Sequence, residues 1–159
     1  MMLHFRAELI GMDSIIHLSV SLRCSPQKAF ELFTKNELLE KWLTAMADVE
    51  PKVGGKYELF WNPDDKESDS TIDCKVLAIE RNKFLCFEWK GPKQYKLLMN
   101  NTRPLTNVTV FFIPNKKSTE VHLLHSGWQN TKEWEEARQW FQQAWTNAFE
   151  ELQKYMSKG

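Results

Sequence analysis

The sequence lacks an excess of charge of either sign, because its 159 residues contain 21 Lys and Arg and 21 Asp and Glu. Proteins that bind nucleic acid need a basic surface to neutralise phosphates, so we expect no nucleic-acid partner. It also has no apolar run of about 18 residues, the length that indicates a membrane span. Residues 1–20 carry polar side chains throughout and lack the apolar core of a signal peptide. We therefore expect a cytoplasmic protein without a membrane span.

Cysteine is scarce, and its spacing excludes two common uses. Cys24, Cys74 and Cys86 are odd in number and form no C-x-x-C pair, which argues against a disulfide framework or a zinc site. His122 and His125 lie three residues apart on a predicted strand, so they should face opposite sides of the sheet and cannot share a metal. We expect no metal and no cofactor.

Recognisable catalytic motifs are also missing. The sequence has no G-x-S-x-G string, and the glycines of Val53-Gly54-Gly55-Lys56 are not part of a P-loop. Glu58 and Glu88 lie on predicted strands and would be candidate acids or bases if they faced a cavity. Because strand carboxylates more often face solvent, we assign no catalytic residue.

Aromatic residues, in contrast, are abundant: the chain has 7 Trp and 10 Phe. Rings in this number either fill a core or line an apolar cavity. The length suits one domain, which we place at residues 13–159. Residues 1–12, where apolar residues alternate before Gly11, are interpreted as an N-terminal extension that is either a short strand or a loosely docked segment.

Local patterns predict the order of the elements. Alternation predicts a first strand at residues 15–22, and Ser25-Pro26 is typical of a helix start. Helical spacing then predicts two short helices in tandem, the second starting at Asn36. Further strands are predicted at residues 56–62, 71–79, 83–89, 108–113 and 119–125, and residues 95–100 are interpreted as a short strand or a loop.

The longest element is predicted at the C-terminus. Asn130-Thr131-Lys132-Glu133 is typical of a capping box. Apolar residues then recur with a period of about 3.6 up to Met156, which indicates one long amphipathic helix. Helices segregated from a run of antiparallel strands indicate an α+β fold.

This order, together with several local strings, resembles the family of proteins similar to the activator of Hsp90 ATPase, within the START-like (Bet v 1-like, SRPBCC) superfamily. The resemblance covers roughly residues 14–156 and is carried by Ser25-Pro26 with Phe30, Phe33-Thr34, Glu37-Leu38-Leu39 before Trp42, Val53-Gly54-Gly55, residues 84–89, residues 119–128, Trp145 and residues 152–156. It implies a helix-grip fold, in which a curved antiparallel sheet of about six or seven strands wraps around the C-terminal helix. It also implies a cavity between sheet and helix.

Apolar positions on the predicted inner faces are the candidate cavity residues: Trp42, Tyr57, Leu59, Trp61, Phe87, Trp89, Val110, Phe112, Phe141, Trp145 and Phe149. The pattern leaves open whether these side chains pack against each other or line a pocket. We favour non-catalytic binding of a hydrophobic small molecule by a monomer or homodimer. The resemblance supplies two alternatives, a protein-interaction module that binds a chaperone and a cyclase- or hydrolase-like enzyme.

Overall fold

The computed structural model describes residues 14–158 and confirms the α+β prediction. The extension assigned to residues 1–12 lies outside this range. The strands are β1 (Ile16–Leu22), β2 (Met46–Val49), β3 (Tyr57–Phe60), β4 (Val76–Glu80), β5 (Phe84–Glu88), β6 (Asn107–Asn115) and β7 (Ser118–Ser126). The helices are α1 (Pro26–Thr34), α2 (Asn36–Trp42), α3 (Lys96–Met99, preceded by a 3₁₀ turn at Lys93–Tyr95) and α4 (Lys132–Ser157).

Five strands form one antiparallel sheet in the order β1-β7-β6-β5-β4, and β2 pairs with β3 in a second sheet. The segment that precedes β4 connects the two sheets. Tyr57 donates its backbone N–H to the Cys74 carbonyl, and Thr71 donates to Leu59, both at 2.8–2.9 Å. Backbone hydrogen bonds therefore join the two antiparallel sheets, and the long helix α4 completes the helix-grip fold that the family resemblance implied.

The tandem helices α1 and α2 close one end of the grip. Ser25 accepts the Lys28 backbone N–H at 3.1 Å, as the helix-start motif predicted. The tyrosine of β3 anchors α1, because the Tyr57 hydroxyl donates to the Phe33 carbonyl at 2.7 Å. Since the last carbonyls of a helix have no partner within it, this bond satisfies a group that would otherwise be buried alone.

Helix α4 presents one continuous apolar face to the concave side of the sheet. Its buried residues recur at helical spacing: Trp134, Ala137, Phe141, Trp145, Phe149 and Leu152. The cap is Thr131, whose side chain accepts the Trp134 N–H at 3.2 Å, so the helix begins one residue later than the Asn130 capping box implied. No helix within residues 14–158 is both long and apolar enough to cross a bilayer.

Two local predictions were wrong, and one strand was missed. The segment predicted at residues 95–100 as a strand or a loop instead ends a 3₁₀ turn (Lys93–Tyr95) and forms a helical turn (Lys96–Met99). The Pro92 carbonyl accepts the Tyr95 N–H, and the Lys, Leu and Met residues that follow have high helix propensity. The strand predicted from residue 71 begins at Val76, since Asp73 adopts a φ of 69° in a turn. Strand β2 was not predicted, because its four residues are too few to show a period.

The Tyr57 hydroxyl gives a test of this architecture. We expect Tyr57→Phe to lower the free energy of unfolding by about 1–2 kcal/mol, because it leaves the Phe33 carbonyl unpaired in a buried site. Urea denaturation would measure the loss. Tyr155→Phe is the matched control, since Tyr155 is only partly buried and its hydroxyl donates to no atom of residues 14–158. Equal effects of the two changes would contradict the assigned role of the hydroxyl.

Candidate functional site

A pocket of about 450 Å³ opens between α4 and the loops at one end of the sheet. Its walls come from four places in the chain: the end of α2, the ends of β3 and β5 with the loops that follow them, and α4. We call it the aromatic pocket, after six residues of its lining: Trp42, Trp61, Trp89, Trp140, Phe141 and Trp145. Alanines of α4, Ala144 and Ala148, leave room where larger side chains would fill the gap.

The rings of the aromatic pocket contact each other at angles. Trp89 lies 5.1 Å from Trp145 with a 44° tilt, and Trp61 lies 5.9 Å from Trp89 with a 74° tilt. Edge-to-face and tilted contacts of this kind stabilise ring pairs beyond the burial of their area. The walls are therefore held in fixed relative orientations before any ligand arrives.

Hydrogen bonds of the indole groups fix the rings further. Trp42 donates Nε1–H to the Leu32 carbonyl at 2.8 Å, and Trp61 donates to the Leu43 carbonyl at 2.9 Å. Trp145 donates to Nδ1 of His125 at 3.1 Å. Because these three polar edges are engaged by the protein, the surface that these rings offer to the pocket is carbon.

His125 lies on β7 beneath Trp145 and is fully buried. Burial disfavours the charged ring and lowers the pKa of His125 to about 3. Since an indole can only donate, Nδ1 must be the acceptor, and Nε2–H donates to Thr106 Oγ1 at 3.0 Å. His125 is thus a neutral link between α4, β7 and the residue before β6.

Polar groups surround the mouth of the aromatic pocket: Asn62, Asp69, Ser70, Lys90, Gln94, Asn147 and Glu151. Two of them already hold the backbone of the protein. Asp69 accepts the Lys93 N–H at 2.7 Å, and Ser70 donates to the Lys66 carbonyl at 2.6 Å. The Asp69 bond joins the loop after β3 to the loop after β5, and the Ser70 bond closes the loop after β3 on itself.

Ten of the eleven candidate residues fall into two sets. Five of them line the aromatic pocket: Trp42, Trp61, Trp89, Phe141 and Trp145. Five others lie in the packed core: Tyr57, Leu59, Phe87, Val110 and Phe112. Phe149 is also buried, but it borders a separate small depression between α4 and β1. Tyr57 stacks on Phe87 with a centroid distance of 3.7 Å, so direct packing fills the centre of the grip.

Sequence reasoning missed several lining residues. Trp140, Ala144 and Ala148 follow each other at intervals of four, next to the stripe that contains Phe141 and Trp145. Ala144 and Ala148 belong to the apolar stripe that the period predicted but were not named as cavity residues, and a stripe widened by one position would have included Trp140. The loop residues Gly91 and Pro92 carried no such signal, because loop contacts follow no period.

The other groups that the sequence singled out lie away from the pocket. Glu58 accepts the Asp73 N–H at 2.8 Å, and Glu88 accepts the Lys75 N–H at 3.0 Å, so both carboxylates support the edge of the sheet. His122 lies on the outer face and bonds to His17 at 3.0 Å, opposite in direction to His125, as predicted. Within residues 14–158 no three His, Cys, Asp or Glu side chains are placed to hold a metal ion.

A family model described as activator of Hsp90 ATPase homolog 1-like protein matches residues 23–157. The chain belongs to this family. Comparison with curated proteins gives no match. The family assignment therefore rests on the family model, and it agrees with the resemblance seen in the sequence.

Solved structures share the fold of this Hsp90 ATPase activator-like chain. Protein MLL2253 from Mesorhizobium loti has a TM-score of 0.69 at 21% identity, over 91% of this chain and 97% of its own. The Aha1 dimer from Colwellia psychrerythraea has a TM-score of 0.67 at 19% identity, over 89% and 95%. PFC0360w, an HSP90 activator from Plasmodium falciparum, has a TM-score of 0.57 at 22% identity, over 76% and 77%. At such identities the likeness shows the fold alone.

The buried histidine predicts a pH dependence of stability. The unfolded chain binds a proton at His125 below pH 6.5, whereas the folded protein does so only near pH 3. Stability should therefore fall as the pH decreases through 6.5, by about 2 kcal/mol between roughly pH 7 and pH 5. Urea denaturation at a series of pH values would measure this loss.

Two variants separate His125 from the other histidines. His125→Gln should flatten the dependence over this range. His122→Gln removes an outer-face histidine and keeps the buried network, so the dependence should persist. Stability of the unaltered protein that stays constant between these pH values would contradict a neutral, buried His125.

Proposed function

We propose that this protein is a non-catalytic binding protein for a flat hydrophobic small molecule, held in the aromatic pocket. The observation that carries the proposal is an open pocket whose walls are rings fixed from behind by hydrogen bonds. Its volume of about 450 Å³ lies within the range of small-molecule sites. A ligand with two or three fused rings would suit that space and stack against the tilted indoles.

One polar group inside the pocket is available to orient such a ligand. Trp89 is 4% exposed and lines the pocket, and its indole N–H donates to no atom within residues 14–158. Every fully buried side-chain nitrogen or oxygen of the described chain has a partner, so solvent must reach this N–H. We infer that it faces the pocket and would meet a carbonyl or hydroxyl oxygen of the ligand.

The lining favours binding over catalysis. Its ionisable residues are Asp69, Lys90 and Glu151, all among the polar groups at the mouth. The buried ionisable side chains that could be tuned for proton transfer, His125, Tyr57 and Cys74, do not belong to the lining. Because acid–base chemistry needs groups that converge on the reacting atoms, we assign no reaction to this pocket.

A retained ligand can be detected directly. We expect native mass spectrometry of the protein, purified without added ligand, to show a mass excess that disappears on denaturation. The mass would then narrow the chemical class. If the native ligand is lost in purification, a dye can report whether the pocket binds aromatic molecules. The neutral dye N-phenyl-1-naphthylamine is suitable, because it has three aromatic rings and no charge.

Filling the pocket should abolish dye binding. We expect Ala144→Leu with Ala148→Leu to weaken binding of the dye at least tenfold, because the new side chains occupy the space of the ligand. The matched control is Thr146→Leu, on the same helix but facing the depression beside β1. Dye binding that is equally tight in the pocket and control variants would refute the proposed site.

Interaction with an Hsp90-type chaperone is a second proposal, favoured by family membership and by one surface feature. On the outer face of the sheet, Phe111 is 39% exposed and Ile113 is 48% exposed, and Phe111 pairs with Phe84 across the strands. Adjacent exposed apolar side chains of this kind often mark protein contacts. They lie on the face of the sheet that is turned away from α4.

Two sets of variants separate the chaperone proposal from ligand binding. If the outer face binds the chaperone, Phe111→Ser with Ile113→Ser should abolish stimulation of the ATPase rate of a purified Hsp90. The pocket variant Ala144→Leu with Ala148→Leu should leave stimulation unchanged. An ATPase rate that does not respond to the unaltered protein would count against this second function and would not affect ligand binding.

A further inference from the structure

The loop between β5 and β6 is the most one-sided charged part of a chain with no net charge. From Trp89 to Thr119 the sequence contains no Asp or Glu. Four of the cations in this stretch lie within residues 90–103, which we call the basic loop: Lys90, Lys93, Lys96 and Arg103. None of the four forms an ion pair within residues 14–158. The nearest carboxylate contact is that of Asp69, which accepts the backbone N–H of Lys93 and not its ammonium group.

The basic loop also carries the most exposed large apolar side chain of the described residues. Leu97 is 86% exposed, whereas Val53, the next most exposed, is 67% exposed. Leu97 lies on α3 directly after Lys96 and one turn after Lys93. No contact within the described chain explains why this leucine, which follows two lysines in the sequence, is exposed to water.

The basic loop is held in shape rather than left to move freely. Gly91 donates its N–H to the Asn100 side chain at 2.8 Å, which closes the segment at its base. A Cβ at Gly91 would meet the Met99 sulfur at 2.8 Å, so a larger residue there would force the Met99 side chain to shift. Tyr95 contacts Trp140 of α4 edge to face at 6.0 Å. The cations and Leu97 are thus presented together from a fixed platform.

This platform lies beside the mouth of the aromatic pocket, because Lys90, Gly91, Pro92 and Gln94 belong to both. We propose that the basic loop docks the protein onto the surface of an anionic lipid bilayer, with Leu97 inserted among the acyl chains and the cations against the headgroups. Such a contact combines an apolar insertion with electrostatic attraction, which is how peripheral proteins bind membranes without spanning them.

The combination of groups favours a bilayer over a nucleic acid. A nucleic acid would engage the cations but leave Leu97 in water. A bilayer accepts both at once, since its phosphates overlie its hydrocarbon by a few ångströms. This orientation would also place the mouth of the pocket near the membrane. Docking needs no ligand in the pocket, so vesicle binding tests it independently of ligand binding.

Co-sedimentation with vesicles tests the proposal. We expect the unaltered protein to bind phosphatidylcholine vesicles that contain phosphatidylserine, to ignore vesicles of phosphatidylcholine alone, and to dissociate as salt is raised. Lys93→Gln with Lys96→Gln should weaken binding roughly 25-fold, because each cation contributes roughly fivefold. Leu97→Ser should weaken it at least about fivefold without changing the charge, and its exposure means that folding is not at risk.

A matched control removes the same charge elsewhere. Lys116→Gln with Lys117→Gln alters the turn between β6 and β7, at the far end of nine-residue strands that span roughly 27 Å. This variant should bind vesicles as the unaltered protein does. Equal losses in the two double variants would overturn the proposal, since binding would then follow net charge alone. Binding that is unaffected by phosphatidylserine, or unaffected by Leu97→Ser, would overturn it as well.

Discussion

The contact of α4 with the concave face of the sheet is the constraint on which the rest of the structure depends. At its centre the Trp145 indole donates to His125, which in turn donates to Thr106, so one hydrogen-bonded chain joins the helix to two parts of the sheet. An unpaired polar group at this depth would be costly, which makes the register of helix on sheet specific. The apolar face alone would allow the helix to slide.

This contact also positions the pocket. Buried residues of α4 recur along the helix from Trp134 to Leu152, and Tyr57 stacks on Phe87 in the same core. Beside this buried stripe, the small residues Ala144 and Ala148 line the pocket together with the loops that follow β3 and β5. The pocket therefore forms at the side of the packed helix face, where small side chains meet loops.

Periodicity explains how much of this the sequence predicted. The long helix, the tandem helices and the β6–β7 hairpin were predicted because their patterns extend over many residues. Phe141 and Trp145 were found for the same reason, whereas the loop wall at Gly91 and Pro92 was not, since its shape follows from the Asn100 bond and not from a repeat. Period alone also could not separate Tyr57, which packs in the core, from Trp61, which lines the pocket.

The crowding of indoles at one site has an optical consequence. Five of the 7 tryptophans line the aromatic pocket, and Trp89 and Trp145 lie 5.1 Å apart at a 44° tilt. Two identical chromophores at this distance and angle share their electronic transitions, and the resulting exciton splitting depends on their mutual orientation. The ultraviolet spectrum of the unlabelled protein therefore carries a signature of this site, and a shift of α4 against β5 would change it.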